Sequence, residues 1–153
     1  MARAVLLTGS NMGNKKDLLD RACTLISEQV GTVVCESQIY ESEPWGFLSD
    51  DTFLNQALIV ETKLNPLDLL NTVQSIEEEL GRIRKKTMIN NQRIYESRRI
   101  DIDILFYDDL ILNEERLTIP HPLLAERQFV LVPLKEILPN YIHPVLRKPV
   151  REL

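Results

Sequence analysis

The stretch Arg98-Arg99-Ile100-Asp101-Ile102-Asp103-Ile104-Leu105 alternates isoleucine with aspartate. Side chains alternate between the faces of a β-strand, so as a strand this segment puts Ile100, Ile102 and Ile104 on one face and Asp101 and Asp103 on the other. The isoleucine face asks for a covering layer, and the aspartate face needs a reason of its own, because aspartate is disfavoured in strands. The segment therefore reads as the last core strand of a sheet packed against helices.

Upstream, the apolar run within Arg3–Thr8 reads as a strand that gives way to a turn at Gly9-Ser10-Asn11-Met12-Gly13. Asn14 is placed to cap a helix with Asp17 in its first turn, and Leu18, Leu19, Ala22, Leu25 and Ile26 recur at helical spacing. Gly31 is expected to end that helix. Residues 32–40 are β-rich and 41–52 read as a loop, while 53–62 form a second long strand. Asn65-Pro66 opens a second helix, with Leu69, Leu70, Val73, Ile76 and Leu80 as its buried stripe and Gly81 at its end. Residues 82–97 lack apolar periodicity and read as a long polar loop. After the Asp-x-Asp strand come a short strand near Leu110–Leu112 and a turn at Pro120-His121-Pro122. Two short helices within 123–138 are broken at Phe129-Val130-Leu131, and the Pro-rich tail is irregular. The order β-α-β-β-α-β predicts an α+β, ferredoxin-like core. Its sheet is expected to be mixed but mainly antiparallel, with the helices on one face, and a C-terminal extension follows.

The 153 residues suit a single domain over 1–153, and 44% hydrophobic with 27% charged residues is ordinary for a globular chain. No apolar run reaches membrane-span length, and the N-terminus lacks a signal-peptide pattern. Cys23 and Cys35 lack metal-type spacing and read as reduced thiols of a cytoplasmic protein. A net charge of −5 argues against general nucleic-acid binding. Within residues 81–99, however, seven basic side chains stand against Glu96, a net +6 that leaves −11 on the rest of the chain. A basic segment between a helix end and the Asp-x-Asp strand suggests a local anion site.

Two carboxylates on one strand face can hold Mg²⁺, which takes one or two carboxylates plus waters and phosphate oxygens; plain solvent-facing alternation is the competing reading. Arg82 and Arg98, with Arg84 nearby, are positioned to grip phosphate oxygens. Gln74 and Glu77 share a flank of the second helix, although within Glu77-Glu78-Glu79 the pattern makes Glu77 a surface acid. Phe53 and Asn55 share a strand face and can clamp and read a flat heterocycle, or simply pack. His121 is held between prolines, where it is either incidental or a donor to phosphate, and Arg127 and Phe129 follow as a cation and an aromatic. There is no Gly-x-x-x-x-Gly-Lys-[Ser/Thr] loop, no protein-kinase motif set and no nucleophilic triad.

Taken in order, these pieces resemble one family, the 6-hydroxymethyl-7,8-dihydropterin pyrophosphokinases of folate biosynthesis. The resemblance is carried by Gly9-Ser10-Asn11, Tyr40-Glu41-Ser42-Glu43-Pro44-Trp45-Gly46, Phe53-Leu54-Asn55, and Glu77 with Gly81-Arg82-Ile83-Arg84. It continues through Arg98–Ile104, Pro120-His121-Pro122, Arg127–Leu131 and Pro133-Leu134. It implies transfer of pyrophosphate from ATP to the pterin hydroxymethyl group with release of AMP, on a ferredoxin-like fold; a monomer with no nucleic-acid or membrane partner is expected. It further implies two Mg²⁺ ions on Asp101 and Asp103, catalytic roles for Arg82 and Arg98, and a pterin held by Phe53, Phe129 and Asn55 with groups near Ser42, Glu43 and Trp45. The implied nucleotide side comprises Gln74, Glu77, Arg84, Ile104, Arg116, Thr118, His121 and Arg127. The segment Thr87–Ser97 is longer than in typical members and lacks their tryptophan, with Tyr95 nearby. A non-catalytic nucleotide-binding module of the same fold is the alternative. An RNA-binding module fits less well, because the aspartates would repel phosphate without metal.

Overall fold

The computed structural model describes residues 1–11, 13–42, 52–81, 88–89, 92–93 and 100–153. Strand β1 (Ala2–Ser10) leads to helix α1 (Lys15–Gln29), then β2 (Gly31–Glu36), β3 (Tyr40–Ser42), β4 (Phe53–Thr62) and α2 (Pro66–Glu79). There follow β5 (Met88–Ile89), β6 (Gln92–Arg93), β7 (Asp101–Tyr107), β8 (Leu112–Asn113), β9 (Thr118–Ile119) and α3 (Gln128–Ile137). Both long helices start on the expected caps. The Asn14 side chain accepts the Asp17 N–H at 3.3 Å, and that of Asn65 accepts the Asp68 N–H at 2.9 Å.

The main sheet runs β2-β4-β1-β7, with β3 also paired to β4. Its pairings are antiparallel throughout the described residues, because β4 inserts between β1 and β2, the two strands that α1 connects. β2 and β3 act as one interrupted partner of β4. Ser37 bridges the break: its N–H donates to the Ala57 carbonyl and its Oγ accepts the Ala57 N–H, both at 2.9 Å.

Two cores follow from the alternation. Ala4 and Leu6 of β1, Leu58 and Val60 of β4, and Ile100, Ile102 and Ile104 pack under α1 and α2. Val5, Leu7, Ala57, Ile59 and Leu105 pack instead against Val130, Leu131 and Leu134 of α3 and against Val150. The two long helices therefore share one face as expected, and the C-terminal extension supplies the cover for the other.

Several local expectations change. Gly9 and Ser10 belong to β1 rather than to a turn. Gly31 follows the α1 C-cap Val30 and opens β2, where a Cβ would stand 2.0 Å from the Glu61 carbonyl oxygen. Glu41 and Ser42, expected in a loop, lie in β3. Inside the expected 82–97 loop, Met88 pairs with Arg93 and Ile89 with Gln92. Phe129, Val130 and Leu131 form the start of α3 rather than a break, since Val130 and Leu131 are needed in the second core. Cys23 and Cys35 are both free thiols, and burial pushes Cys23 up to about 11. Among the described residues no helix is long and apolar enough to cross a membrane.

Among the described residues β7 is an edge strand, and two of its outward backbone groups are taken by other elements. The Glu77 carboxylate, on a residue only 4% exposed, accepts the Ile102 N–H at 2.8 Å. The Leu105 carbonyl accepts the His121 N–H at 3.1 Å. Glu77 is thus a buried strut between α2 and β7 and not the surface acid that its acidic neighbours suggest. Losing an acceptor for a buried amide costs about 1–3 kcal/mol. Glu77→Ala is therefore expected to lower the urea midpoint by that equivalent with an unchanged slope, while Glu77→Gln, which keeps an acceptor oxygen, restores most of it. Equal losses in the two variants would contradict the strut.

Candidate active site

β1 runs antiparallel to both β4 and β7, so its C-terminal end meets the N-terminal ends of both neighbours. Gly9 stands opposite Asn55 on one side and opposite Asp101 on the other. Tyr40 of β3 stands opposite Asn55 in turn. Directly opposed residues of a ladder share a face, so this row and the Ala57–Leu7–Asp103 row behind it lie on the side that α3 covers. Asp101 and Asp103 are part-exposed there, whereas Ile100, Ile102 and Ile104 are 1–5% exposed on the opposite side. The alternation read from the sequence is the alternation in the fold.

The end of this face carries a cleft lined, among the described residues, by Tyr40, Glu41, Ser42, Asn55, Gln128, Phe129 and Val132. Asn55 is 3% exposed, and its Nδ2 donates to the Ser42 Oγ at 2.9 Å. Phe129 reaches the cleft from the first turn of α3, with the Arg127 guanidinium over its ring, 5.5 Å from the centroid. Phe53 lies on the Asn55 side of β4 two residues earlier, and it is outside that lining. The cleft wall is held by a contact that spans the chain. The Tyr40 hydroxyl donates to Glu136 Oε1 at 2.6 Å, and the Gln38 N–H donates to the same carboxylate at 3.0 Å. That acceptor raises the Tyr40 phenol above its ordinary range.

His121 follows the cis Ile119–Pro120 bond and sits beside the edge of β7. Its Nδ1 accepts the Leu123 N–H at 3.3 Å, which leaves the proton of the neutral ring on Nε2 as a donor. Burial pushes this imidazole below its usual value; the Asp103 charge pulls the other way, and Arg127 opposes Asp103. His121, Arg127 and Asp103 therefore share one electrostatic neighbourhood.

The other expected nucleotide residues divide between the two sides of β7. Gln74 and Glu77 come from α2, and Ile104 is 5% exposed in the core beneath that helix. Arg116, just before β9, donates from its guanidinium to Asn71 Oδ1 of α2 at 2.7 Å. Thr118 lies in β9 opposite Asn113. Of these expected residues, Glu77 and His121 contact the edge of β7 directly, at Ile102 and Leu105. Arg82, Arg84, Arg98, Glu43 and Trp45 lie outside the described residues. Sequence reading named Gly9 and Tyr40 only within motifs, with no role of their own, and did not single out Glu136 or Asn71, whose partners lie far along the chain.

Among the described residues no group of three or more His, Cys, Asp or Glu side chains converges as a metal site. Two carboxylates on one accessible face still match Mg²⁺, whose remaining ligands are water and substrate phosphate. Among the described residues Asp101 and Asp103 are the carboxylates on this face that would hold such an ion.

Residues 5–139 match the family model for 7,8-dihydro-6-hydroxymethylpterin-pyrophosphokinase. A 2-amino-4-hydroxy-6-hydroxymethyldihydropteridine pyrophosphokinase from Porphyromonas gingivalis is 39% identical over 97% of this chain and 99% of its own length. The enzyme of that name from Methylorubrum extorquens is 42% identical over 93% of this chain and 86% of its own. The folic acid synthesis protein fol1 of Schizosaccharomyces pombe is 39% identical over 97% of this chain, which spans only 20% of that longer protein. A crystal structure of an HPPK-DHPS in complex with substrates superposes with a TM-score of 0.75 at 18% identity, covering 99% of this chain and 42% of the other, and so supports the fold. The family match over most of the chain, with relatives alike along nearly their whole length, shows that this protein belongs to the 7,8-dihydro-6-hydroxymethylpterin-pyrophosphokinase family.

Proposed function

We propose that this pyrophosphokinase of folate biosynthesis transfers the β,γ-diphosphate of ATP to the hydroxymethyl oxygen of 6-hydroxymethyl-7,8-dihydropterin, with AMP as the leaving group. The observation that carries the proposal is the shared row of Asn55, Gly9 and Asp101, which puts a buried amide and the carboxylate pair on one sheet face.

In this reading the pterin ring occupies the cleft against Phe129 with Asn55 and Ser42 at its polar edge, and Phe53, Glu43 and Trp45 complete its surroundings. ATP lies along the edge of β7, near Gln74, Glu77, Arg84, Ile104, Arg116, Thr118, His121 and Arg127. Asp101 and Asp103 are the residues that would hold the two Mg²⁺ ions, and such ions would supply neutralisation of the phosphate charge. The pterin oxygen bonds to the β-phosphorus as the bridge to the α-phosphate breaks, and the hydroxyl proton passes to water. Such a transfer needs positioning, charge neutralisation and water exclusion more than covalent help. His121 Nε2 and Arg127 are donors for the triphosphate. Arg82 and Arg98 stabilise the charge that develops during transfer.

The deciding experiment measures AMP formed from ATP and Mg²⁺ with and without the pterin. Pterin-dependent AMP supports the proposal; binding of ATP with no AMP would make the chain a nucleotide-binding module. Asp103→Ala is expected to abolish turnover with an unchanged melting temperature, because that side chain is part-exposed; persistent Mg²⁺-dependent activity would remove Asp103 from the metal site. Arg98→Ala is expected to slow single-turnover transfer on the order of 10³-fold with little loss of ATP binding, the scale set by charge-stabilising arginines in phosphoryl transfer. Unchanged single-turnover kinetics would refute its role.

A further inference from the structure

β1 enters the site with a glycine where its neighbours carry functional side chains. The row Tyr40, Asn55, Gly9, Asp101 reads phenol, amide, no side chain, carboxylate. Asn55 and Asp101 are two inter-strand steps apart, roughly 9–10 Å, and the floor between them is bare backbone. Glycine weakens a strand interior, and where it persists it often marks a close approach. The close approach here is to Asn55: a Cβ on Gly9 would stand 2.8 Å from Asn55 Oδ1 and 3.9 Å from its Cγ. Real contacts of that kind do not fall below 3.0 Å, so one group would have to move. Asn55 has little room to do so. It is 3% exposed, and its Nδ2 is engaged with Ser42 Oγ at 2.9 Å. The amide is laid across β1 with its oxygen over the glycine, and the Ser42 bond fixes that orientation.

We infer that Gly9 is a specificity-determining residue for the acceptor. Its missing side chain lets the Asn55 amide lie in the orientation that reads the acceptor's polar edge. It also leaves a notch from Asn55 towards Asp101, across which the acceptor's reacting arm extends to the phosphate. Any side chain at position 9 turns the amide away and blocks the notch, while the nucleotide side along the edge of β7 is untouched. The inference rests on the acceptor cleft proposed above.

The test is steady-state kinetics on the full chain, each substrate varied against a saturating concentration of the other, for Gly9→Ala, Asn55→Ala and the double variant. The KM for the pterin is expected to rise about tenfold or more in Gly9→Ala, the scale of losing one buried hydrogen-bond arrangement, with the KM for ATP unchanged. In the Asn55→Ala background the atom that Gly9→Ala displaces is gone, so the second substitution adds much less than it does alone. The same penalty in both backgrounds, or an unchanged pterin KM in Gly9→Ala where Asn55→Ala raises it, would overturn the inference and leave the cleft assignment standing. Asn55→Ala with no effect on the pterin KM would overturn the cleft assignment, and the inference with it. If Gly9→Ala fails to fold, recovery in the double variant supports the contact, and continued failure overturns it.

Discussion

Everything at the site depends on β1 being hydrogen-bonded along both edges. It pairs with β4 over its whole length and with β7 from Ala4 to Gly9. Because both pairings are antiparallel, the end of β1 meets the beginnings of the strands that carry Asn55 and Asp101. Register is also held by burial. A slip of one residue in β7 would carry Ile100, Ile102 and Ile104 out of the core beneath α1 and α2 and drive the aspartates into it. The force that buries the isoleucines is therefore the same one that aims the carboxylates.

The outer edge of β7 is the second constraint. An unpaired edge invites another chain, and here α2 and the Pro-His-Pro turn occupy it. Glu77 takes the amide of Ile102, the residue between the two aspartates, and His121 donates its backbone N–H to the carbonyl of Leu105. These contacts hold the strand and also bring Glu77 and His121 against it. α3 performs the matching task on the cleft side of the sheet. It fills the second core with Val130, Leu131 and Leu134, and its Glu136 receives Tyr40 and Gln38. Phe129 is thereby held against the cleft that contains Asn55.

Much of this was legible along the chain. Asn14 and Asn65-Pro66 announced the starts of the helices, and the Ile/Asp alternation announced the faces of β7, because caps and strand parity are local properties. The β-α-β-β-α-β order gave the ferredoxin-like core with both long helices on one face, but the sheet expected to be mixed is antiparallel in every pairing among the described residues. Glu77 was misread as a surface acid because its acidic neighbours, Glu78 and Glu79, are exposed and only the turn of α2 points Glu77 inward. Gly31 was read only as a helix end because its need for glycine comes from Glu61, thirty residues away. Phe129-Val130-Leu131 resembled a break until a second core existed for α3 to cover.

By itself, then, the sequence determined the main helices and strands, the fold class, the family resemblance and the kinds of charged, polar and aromatic side chain on offer. These rest on periodicity, caps and motifs, which are encoded within a few residues of one another. The tertiary structure decided which of those side chains meet. The row from Tyr40 through Asn55 and Gly9 to Asp101 draws on four strands, and the Tyr40–Glu136 contact joins residues 96 positions apart. Hydrogen-bond register and core packing make such neighbours, and neither is a property of any one segment.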